Sequence, residues 1–221
     1  MTPNNYHIAR ERMVREQLIA NGISDPRVLD VMLKVPRHLF LDSDLGPQAY
    51  SDHSFPIGFS QTMSQPFMVA YLCEQLLLTG NEKILEIGTG SGYQAAVLSH
   101  LVSRVSTIEI KPRLWRQSTA TLTQAGYANV QTRAGDGYFG WPERAPFDAI
   151  MITAAVDHIP PPLLKQLREG GRLILPLGNP FGFQNLVLVT RKGEDFTVRQ
   201  ITGVLFVPLT GYALEHGAKA P

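Results

Sequence analysis

The octapeptide Glu86-Ile87-Gly88-Thr89-Gly90-Ser91-Gly92-Tyr93 constrains this chain more than any other feature. It follows the short apolar run 83–87 and opens the apolar-rich stretch 93–101, so three alternating glycines fall where a strand hands over to a helix. Glycines at such a junction permit a sharp turn and let a ligand approach the backbone without meeting side chains. A dinucleotide fingerprint needs its third glycine where Tyr93 stands, and a nucleoside-triphosphate loop needs a closing Lys-Ser/Thr pair; this chain has neither.

The residues around the loop repeat its rhythm. Runs at 83–87, 105–110, 130–133, 149–153 and 173–177 read as strands, and helical stretches at 93–101, 113–125 and 162–167 lie between them. That alternation predicts an α/β, Rossmann-like fold built on a mostly parallel sheet. Near the C-terminus, runs at 185–190 and 196–207 flank Lys192-Gly193-Glu194, which predicts an antiparallel hairpin.

The first 80 residues have a different texture. Residues 6–21 read as a helix with Ile8, Val14, Leu18 and Ile19 on one side, arginines on the other and Gly22 at its end. Asp25 and Pro26 make an N-cap and first turn for a second helix through Leu33. Residues 37–62 are punctuated by proline and glycine and read as loop, of the long kind that is usually functional. Pro66 restarts a helix carrying Met68, Tyr71, Leu72 and Leu76 and running to Gly80. The expected organisation is one domain over 1–221, with 1–80 as a substrate-binding cover and 81–211 as the α/β core and C-terminal strands.

Composition excludes several classes of function. Twenty Lys+Arg against nineteen Asp+Glu leave a net charge of +1, which argues against gripping nucleic acid through a broad basic surface. With 44% hydrophobic residues the chain lies far from disordered compositions. A single cysteine, Cys73, excludes an internal disulfide framework and Cys-based zinc clusters. The six histidines show no His-x-x-x-His spacing, so no metal is expected. Neither a signal-length apolar run near Met1 nor a stretch of about eighteen apolar residues is present, so a cytoplasmic protein without membrane contact is expected.

Three acids sharpen the ligand. Glu86, before the glycine turn, would repel a pyrophosphate but suits an ammonium group. Glu109 closes the second strand, where a carboxylate can accept bonds from ribose hydroxyls. Asp136, in Gly135-Asp136-Gly137, follows the third strand near where an adenine edge would lie. A nucleoside bearing an amino acid and no phosphate, S-adenosyl-L-methionine, satisfies all three; the plain alternative is an α/β turn whose acids are caps and surface charges. Segment 85–93 with Glu109, 135–137 and 167–178 resembles the S-adenosylmethionine-dependent methyltransferase fold. An amine methyltransferase would place a polar clamp where Thr153-Ala154-Ala155-Val156 stands, and Cys73 lacks the setting of a pyrimidine-methylating nucleophile.

The cover selects among the remaining branches. Pro56-Ile57-Gly58 and Gln61-Thr62-Met63-Ser64-Gln65-Pro66 resemble the signature of the protein-L-isoaspartate (D-aspartate) O-methyltransferase family. So do Val35-Pro36-Arg37, Ala145-Pro146-Phe147-Asp148-Ala149-Ile150, Gly170-Gly171-Arg172-Leu173 and Phe206-Val207-Pro208-Leu209-Thr210, in the same order along the chain. The resemblance implies methyl transfer from S-adenosyl-L-methionine to the α-carboxyl of isoaspartyl, and potentially D-aspartyl, residues in damaged proteins, leaving S-adenosyl-L-homocysteine. Ser64 matches the family's active-site serine. Glu86, Gly88, Thr89, Gly90, Ser91, Gly92, Tyr93, Glu109, Asp136, Gly137 and Thr153 fall at cofactor positions. Gln61, Thr62 and Met63, opposed by Phe206, Val207 and Pro208, fall at substrate positions. The implied partners are isoaspartyl peptides and proteins, acted on by a monomer, with no nucleic acid or membrane. Glu86 replaces a common Asp, Met63 a common Ile and Phe67 a Tyr or His; residues 210–221 match nothing usable, and Gln184 aligns with a glutamine seen in some members. An aspartate O-methyltransferase dedicated to one peptide precursor, a non-catalytic S-adenosylmethionine-binding adaptor and, more weakly, an RNA methyltransferase stay open at this point.

Overall fold

Nine strands carry the framework of the computed structural model, which describes residues 3–217. They are β1 (Phe55–Gly58), β2 (Gln61–Met63), β3 (Lys83–Ile87), β4 (Arg104–Glu109), β5 (Val130–Ala134), β6 (Phe147–Ile152), β7 (Leu167–Gly178), β8 (Gln184–Lys192) and β9 (Asp195–Val204). The main sheet runs β5-β4-β3-β6-β7-β8-β9, parallel from β5 through β7 and antiparallel at β8 and β9. This is the predicted α/β architecture.

The central strands are apolar almost throughout because both of their faces are covered. Successive residues of β3 serve opposite faces, as the pleat requires. Ile84 joins a cluster with Met13, Leu18, Met32, Leu72 and Val97, whereas Leu85 and Ile87 join Ile108, Ile150, Leu173 and Leu175 on the other side. The first cluster unites the N-terminal helices α1 (Pro3–Met13) and α2 (Pro26–Lys34) with α3 (Pro66–Gln75), α4 (Tyr93–Leu101) and the sheet. The cover therefore packs directly on the core. Helices α5 (Pro112–Gln124), α6 (Pro161–Lys165) and α7 (Tyr212–Glu215) complete the described elements.

Five departures from the sequence reading stand out, four of them with clear physical causes. The first helix is α-helical only to Met13; a π turn (Val14–Leu18) and a 3-10 turn (Ile19–Asn21) follow, ended by Gly22 at φ 95°. The wide turn rotates the buried stripe, so Tyr6, Ala9, Met13, Val14 and Leu18 face inward while Ile8 and Ile19 are 55% and 52% exposed. Segment 37–62 is more than loop: it holds 3-10 turns at Arg37–Phe40 and Ser43–Gln48 and the β1–β2 hairpin. Pro56 and Gly58 disguise β1, and a register shift between them accommodates both. Helix α3 stops at Gln75, short of Gly80, because Leu77 turns into the left-handed region at φ 48°.

The fourth departure shapes the site. The strand expected over 196–207 ends at Val204. Gln184, fully buried, draws the next residues away: Phe206 N donates to its Oε1 at 2.8 Å, and its Nε2 donates to Phe206 O at 3.1 Å. Ala155, just past β6, then takes hold, donating to Val207 O and accepting from Leu209 N, both at 2.8 Å. Segment 205–210 thus straps across the C-terminal ends of the strands. The expected helix 162–167 is confined to Pro161–Lys165, and β7 begins at Leu167. Residues 218–221 of the C-terminal tail lie outside the described residues. Among the described residues no helix is long and apolar enough to cross a membrane.

The close approach of Gly137 to β3 gives a stability test. A Cβ there would overlap Ile87 Cγ2, and Ile87 is buried in the strand. Gly137→Ala is expected to cost about 1–3 kcal/mol, the usual range for overpacking, read as a lower urea midpoint with unchanged slope.

Candidate active site

The glycine loop is tied to both neighbouring strands. Gly88, Gly90 and Gly92 sit at φ 98°, 53° and 91°, a region that L side chains enter only with strain. Ile108 O accepts from Gly88 N and Thr89 N at 2.9 and 3.2 Å, fixing the loop to β4. Thr153 Oγ1, at the end of β6, donates to Ile87 O and Gly88 O at 3.0 and 2.9 Å. A Cβ on Gly88 would lie 2.5 Å from that hydroxyl, so glycine is what lets Thr153 brace the turn.

Two of the three predicted acids are tied to this loop. Glu109 accepts from Gly90 N through Oε2 at 2.8 Å and from Lys111 N through Oε1 at 2.9 Å. Glu86 is fully buried; Thr107 Oγ1 donates to its Oε2 at 2.6 Å and shares a second 2.6 Å bond with Thr89 Oγ1 on the loop. Glu86 Oε1 has no partner among the described residues. Burial pushes this carboxyl up to about 8, with nearby Glu109 adding to the rise against the Thr107 bond. A buried acceptor left without a donor, behind a turn that needs glycine, fits the ammonium end of an amino-acid ligand. Asp136 caps the turn Gly137–Phe139, accepting from Tyr138 N at 2.9 Å, and its other oxygen accepts from Tyr212 N at 2.7 Å. Asp136 therefore fastens the C-terminal segment beside Gly137, and each oxygen keeps a second lone pair for a ligand.

Three linked spaces follow the C-terminal edge of the sheet. A hollow of about 30 Å³ is lined by Glu109, Gly137, Gly88, Gln61, Pro208 and Thr210. A second, about 40 Å³, is lined by Gly88–Ser91 with Met63, Ser64, Tyr93 and Thr153. An outer cleft of about 390 Å³ is bounded by Ser54, Thr62, Ser64, Met68, Thr153 and segment 205–207. Gly88 is common to the two hollows; Thr62, Ser64 and Thr153 are common to the second hollow and the cleft. Ser64 thus stands at a neck. It precedes α3 but does not cap it, since the N-cap is Gln65 and no side-chain cap bond forms.

Most residues singled out in the sequence converge here. Thr62, Phe206 and Val207 line the outer cleft as a substrate wall would. Met63 is buried and reaches the inner hollow, while Gln61 and Pro208 line the hollow beside Glu109 instead of the cleft. Tyr93 is buried beneath the loop, its hydroxyl toward Met32, and Gly92 caps α4 against Leu122. Sequence reasoning missed Ser54, Gln65, Met68 and Leu205 as lining residues, because none carries a chemical signal of its own. It also gave Arg37 no role, although that buried guanidinium donates to Ser64 O at 2.7 Å. Among the described residues there is no group of three or more His, Cys, Asp or Glu able to hold a metal ion.

Comparison with known proteins shows the family. The pattern defining the protein-L-isoaspartate(D-aspartate) O-methyltransferase family matches residues 9–214. A protein-L-isoaspartate O-methyltransferase 2 of Shewanella sediminis is 62% identical over 214 residues, covering 97% of this chain and 88% of its own. A protein-L-isoaspartate O-methyltransferase 1 of Syntrophobacter fumaroxidans is 54% identical, covering 94% and 96%. A solved protein-L-isoaspartate O-methyltransferase superposes with a TM-score of 0.83 at 30% identity, over 92% of this chain and 67% of that one. A Plasmodium falciparum structure described as a candidate of the same kind, in complex with S-adenosyl-L-homocysteine, shares the fold at a TM-score of 0.79 and 24% identity, over 91% and 98%. With a family pattern spanning the cover, the glycine loop and the strap together, this chain belongs to the protein-L-isoaspartate(D-aspartate) O-methyltransferase family.

Proposed function

We propose that the neck formed by Ser64 and Thr153 is where this enzyme brings an isoaspartyl α-carboxylate to the methyl group of S-adenosyl-L-methionine. The observation that carries the assignment is the sharing of those two residues, together with Thr62, between the glycine-loop hollow and the outer cleft. In this reading the whole chain works as one methyltransferase domain: the cover contributes Ser64 and Thr62, and the core contributes the loop. Every role in this reading falls to residues of one chain, which acts as a monomer.

The residues present fit the cofactor. Glu86 Oε1 would take the ammonium, Glu109 the ribose hydroxyls, and the hollow beside Gly137 and Asp136 the adenine, with Gly88, Thr89, Gly90 and Ser91 allowing close backbone approach. When bound, S-adenosyl-L-methionine supplies a methyl group already activated on a sulfonium. The acceptor carboxylate, with a reference pKa of about 4, is ionised at neutral pH, so the protein needs neither a base nor an activated serine. What remains is alignment of oxygen, carbon and sulfur. Holding reactants in near-attack geometry contributes up to roughly 7–11 kcal/mol in well-oriented intramolecular reactions. Ser64 orients the carboxylate; strong donation to the attacking oxygen would blunt it. Segment 205–207 closes the opposite wall and excludes water. Methylation replaces the carboxylate oxygen by methoxide, a better leaving group when the next backbone nitrogen attacks the ester carbonyl. A succinimide forms, methanol departs, and hydrolysis returns part of the chain to aspartate without further enzyme.

Transfer of labelled methyl to two peptides that differ only in aspartyl or isoaspartyl linkage tests the activity. Base-labile label on the isoaspartyl peptide alone is expected; equal label on both contradicts the assignment. Ser64→Ala should lower kcat by on the order of 10²-fold, the scale of a misplaced reactant, and leave S-adenosyl-L-homocysteine affinity within about twofold. Equal losses in turnover and affinity would remove Ser64 from the acceptor's side.

Glu86 gives a pH test. Its folded pKa, raised to about 8 from 4.5, means its contribution to stability is complete below about 4.5 and is lost as pH climbs to about 8. Glu86→Gln should therefore gain stability relative to the parent across that interval in the free protein. An ammonium beside Glu86 favours the carboxylate, so ligand binding at neutral pH should release a proton. Calorimetry in buffers of different ionisation enthalpy measures that release, and the Gln variant should show none from this site.

A further inference from the structure

We infer that Arg37 is the positioning residue that sets Ser64 against the glycine-loop helix, an inference that rests on the reading of Ser64 given above. Arg37 has no exposed surface, yet no ion pair with a carboxylate forms at it among the described residues. Its Nε donates to Ala49 O at 2.8 Å and its Nη2 to Ser64 O at 2.7 Å, while Nη1 has no partner among the described residues. The guanidinium lies 4.8 Å from the Tyr93 ring centroid and 6.0 Å from that of Phe55. Burial lowers its pKa to about 10, which leaves it charged at neutral pH.

Burying a cation against carbonyl dipoles and aromatic faces is costly, and a fold retains it where geometry must be held. Ser64 needs such a hold. It follows β2 and precedes the N-cap Gln65, so neither a strand ladder nor a helix fixes its peptide. The planar fork meets that need by touching three separate pieces of chain at once: Ala49, the hairpin through Phe55, and Tyr93, the first residue of α4. Ser64 is thereby indexed to the helix that begins at the cofactor loop. Charge-assisted bonds suit the task because they are shorter and about twice as strong as neutral ones.

The charge is also kept off the reacting oxygen. Methyl transfer neutralises the acceptor carboxylate, so a cation touching it would stabilise the ground state more than the transition state. Placing the guanidinium on the Ser64 carbonyl fixes the hydroxyl's backbone without that penalty. A positioning residue of this kind acts through Ser64, and its removal should matter little once the hydroxyl is gone.

The test is a double-mutant cycle with Arg37→Lys and Arg37→Gln, each alone and combined with Ser64→Ala. Turnover on an isoaspartyl peptide is expressed per site titrated with S-adenosyl-L-homocysteine, so that any unfolded fraction drops out. Each Arg37 variant should lose about tenfold or more in kcat with cofactor affinity within about twofold, and Lys should lose less than Gln because it keeps the charge. In the Ser64→Ala background the same changes should cost less than about threefold. Equal losses in both backgrounds, a matching loss of cofactor affinity, or the absence of titratable sites in both Arg37 variants would assign Arg37 to the fold alone. If Ser64→Ala by itself turns over like the parent, the Ser64 reading fails first; an impaired Ser64→Ala with additive Arg37 effects overturns this inference only.

Discussion

The bracing of the Gly88–Gly92 turn is the constraint on which the site depends. Ile108 O and the Glu109 carboxylate hold it from the end of β4, and Thr153 Oγ1 holds it from just past β6. The braces are one backbone carbonyl and two side chains anchored at the ends of buried parallel strands, so the sheet itself fixes the loop's backbone. Preorganised dipoles and fixed backbone are what a displacement with pre-charged reactants requires. The cost appears in Glu86, a carboxyl buried with one oxygen unpartnered and its pKa raised to about 8. Strain of that kind is relieved by a cationic ligand.

Two segments close over the braced loop from opposite sides. The hairpin β1–β2 brings Thr62, Met63 and Ser64, and the strap 205–210 brings Phe206, Val207 and Pro208. The strap is fastened by paired bonds from the Gln184 side-chain amide to the Phe206 backbone and from the backbone of Ala155 to Val207 and Leu209. Such contacts place a wall without dictating side-chain chemistry on the acceptor. An extended peptide recognised largely through its backbone is compatible with many flanking sequences, as repair of damage at scattered positions demands.

Much of this was legible in the residues. The strand–loop–helix alternation marked the parallel sheet because fully covered strands must be apolar and helices must follow them. The glycines and Glu109 were legible because backbone conformation and carboxylate placement leave local signatures. The hairpin was not, since Pro56 and Gly58 argue against a strand and only tertiary pairing overrides them. The π turn that hides Leu18 and exposes Ile19 has no local sequence signature either. Gln184, noted only by alignment, proved to be the clasp that ends β9 early, a role set by partners 22 residues away. Arg37 was unreadable for the opposite reason: an arginine is expected at the surface, and its burial shows only when three distant segments are brought together.

The most direct test is a structure of the protein with S-adenosyl-L-homocysteine and an isoaspartyl peptide bound together. The α-carboxylate should lie within hydrogen-bond distance of Ser64 Oγ, at the neck shared with Thr153, with one oxygen in line with the cofactor sulfur. A carboxylate bound away from Ser64, for example in the groove between Leu39 and α5 that reaches the other side of the glycine loop at Gly90 and Ser91, would contradict the account.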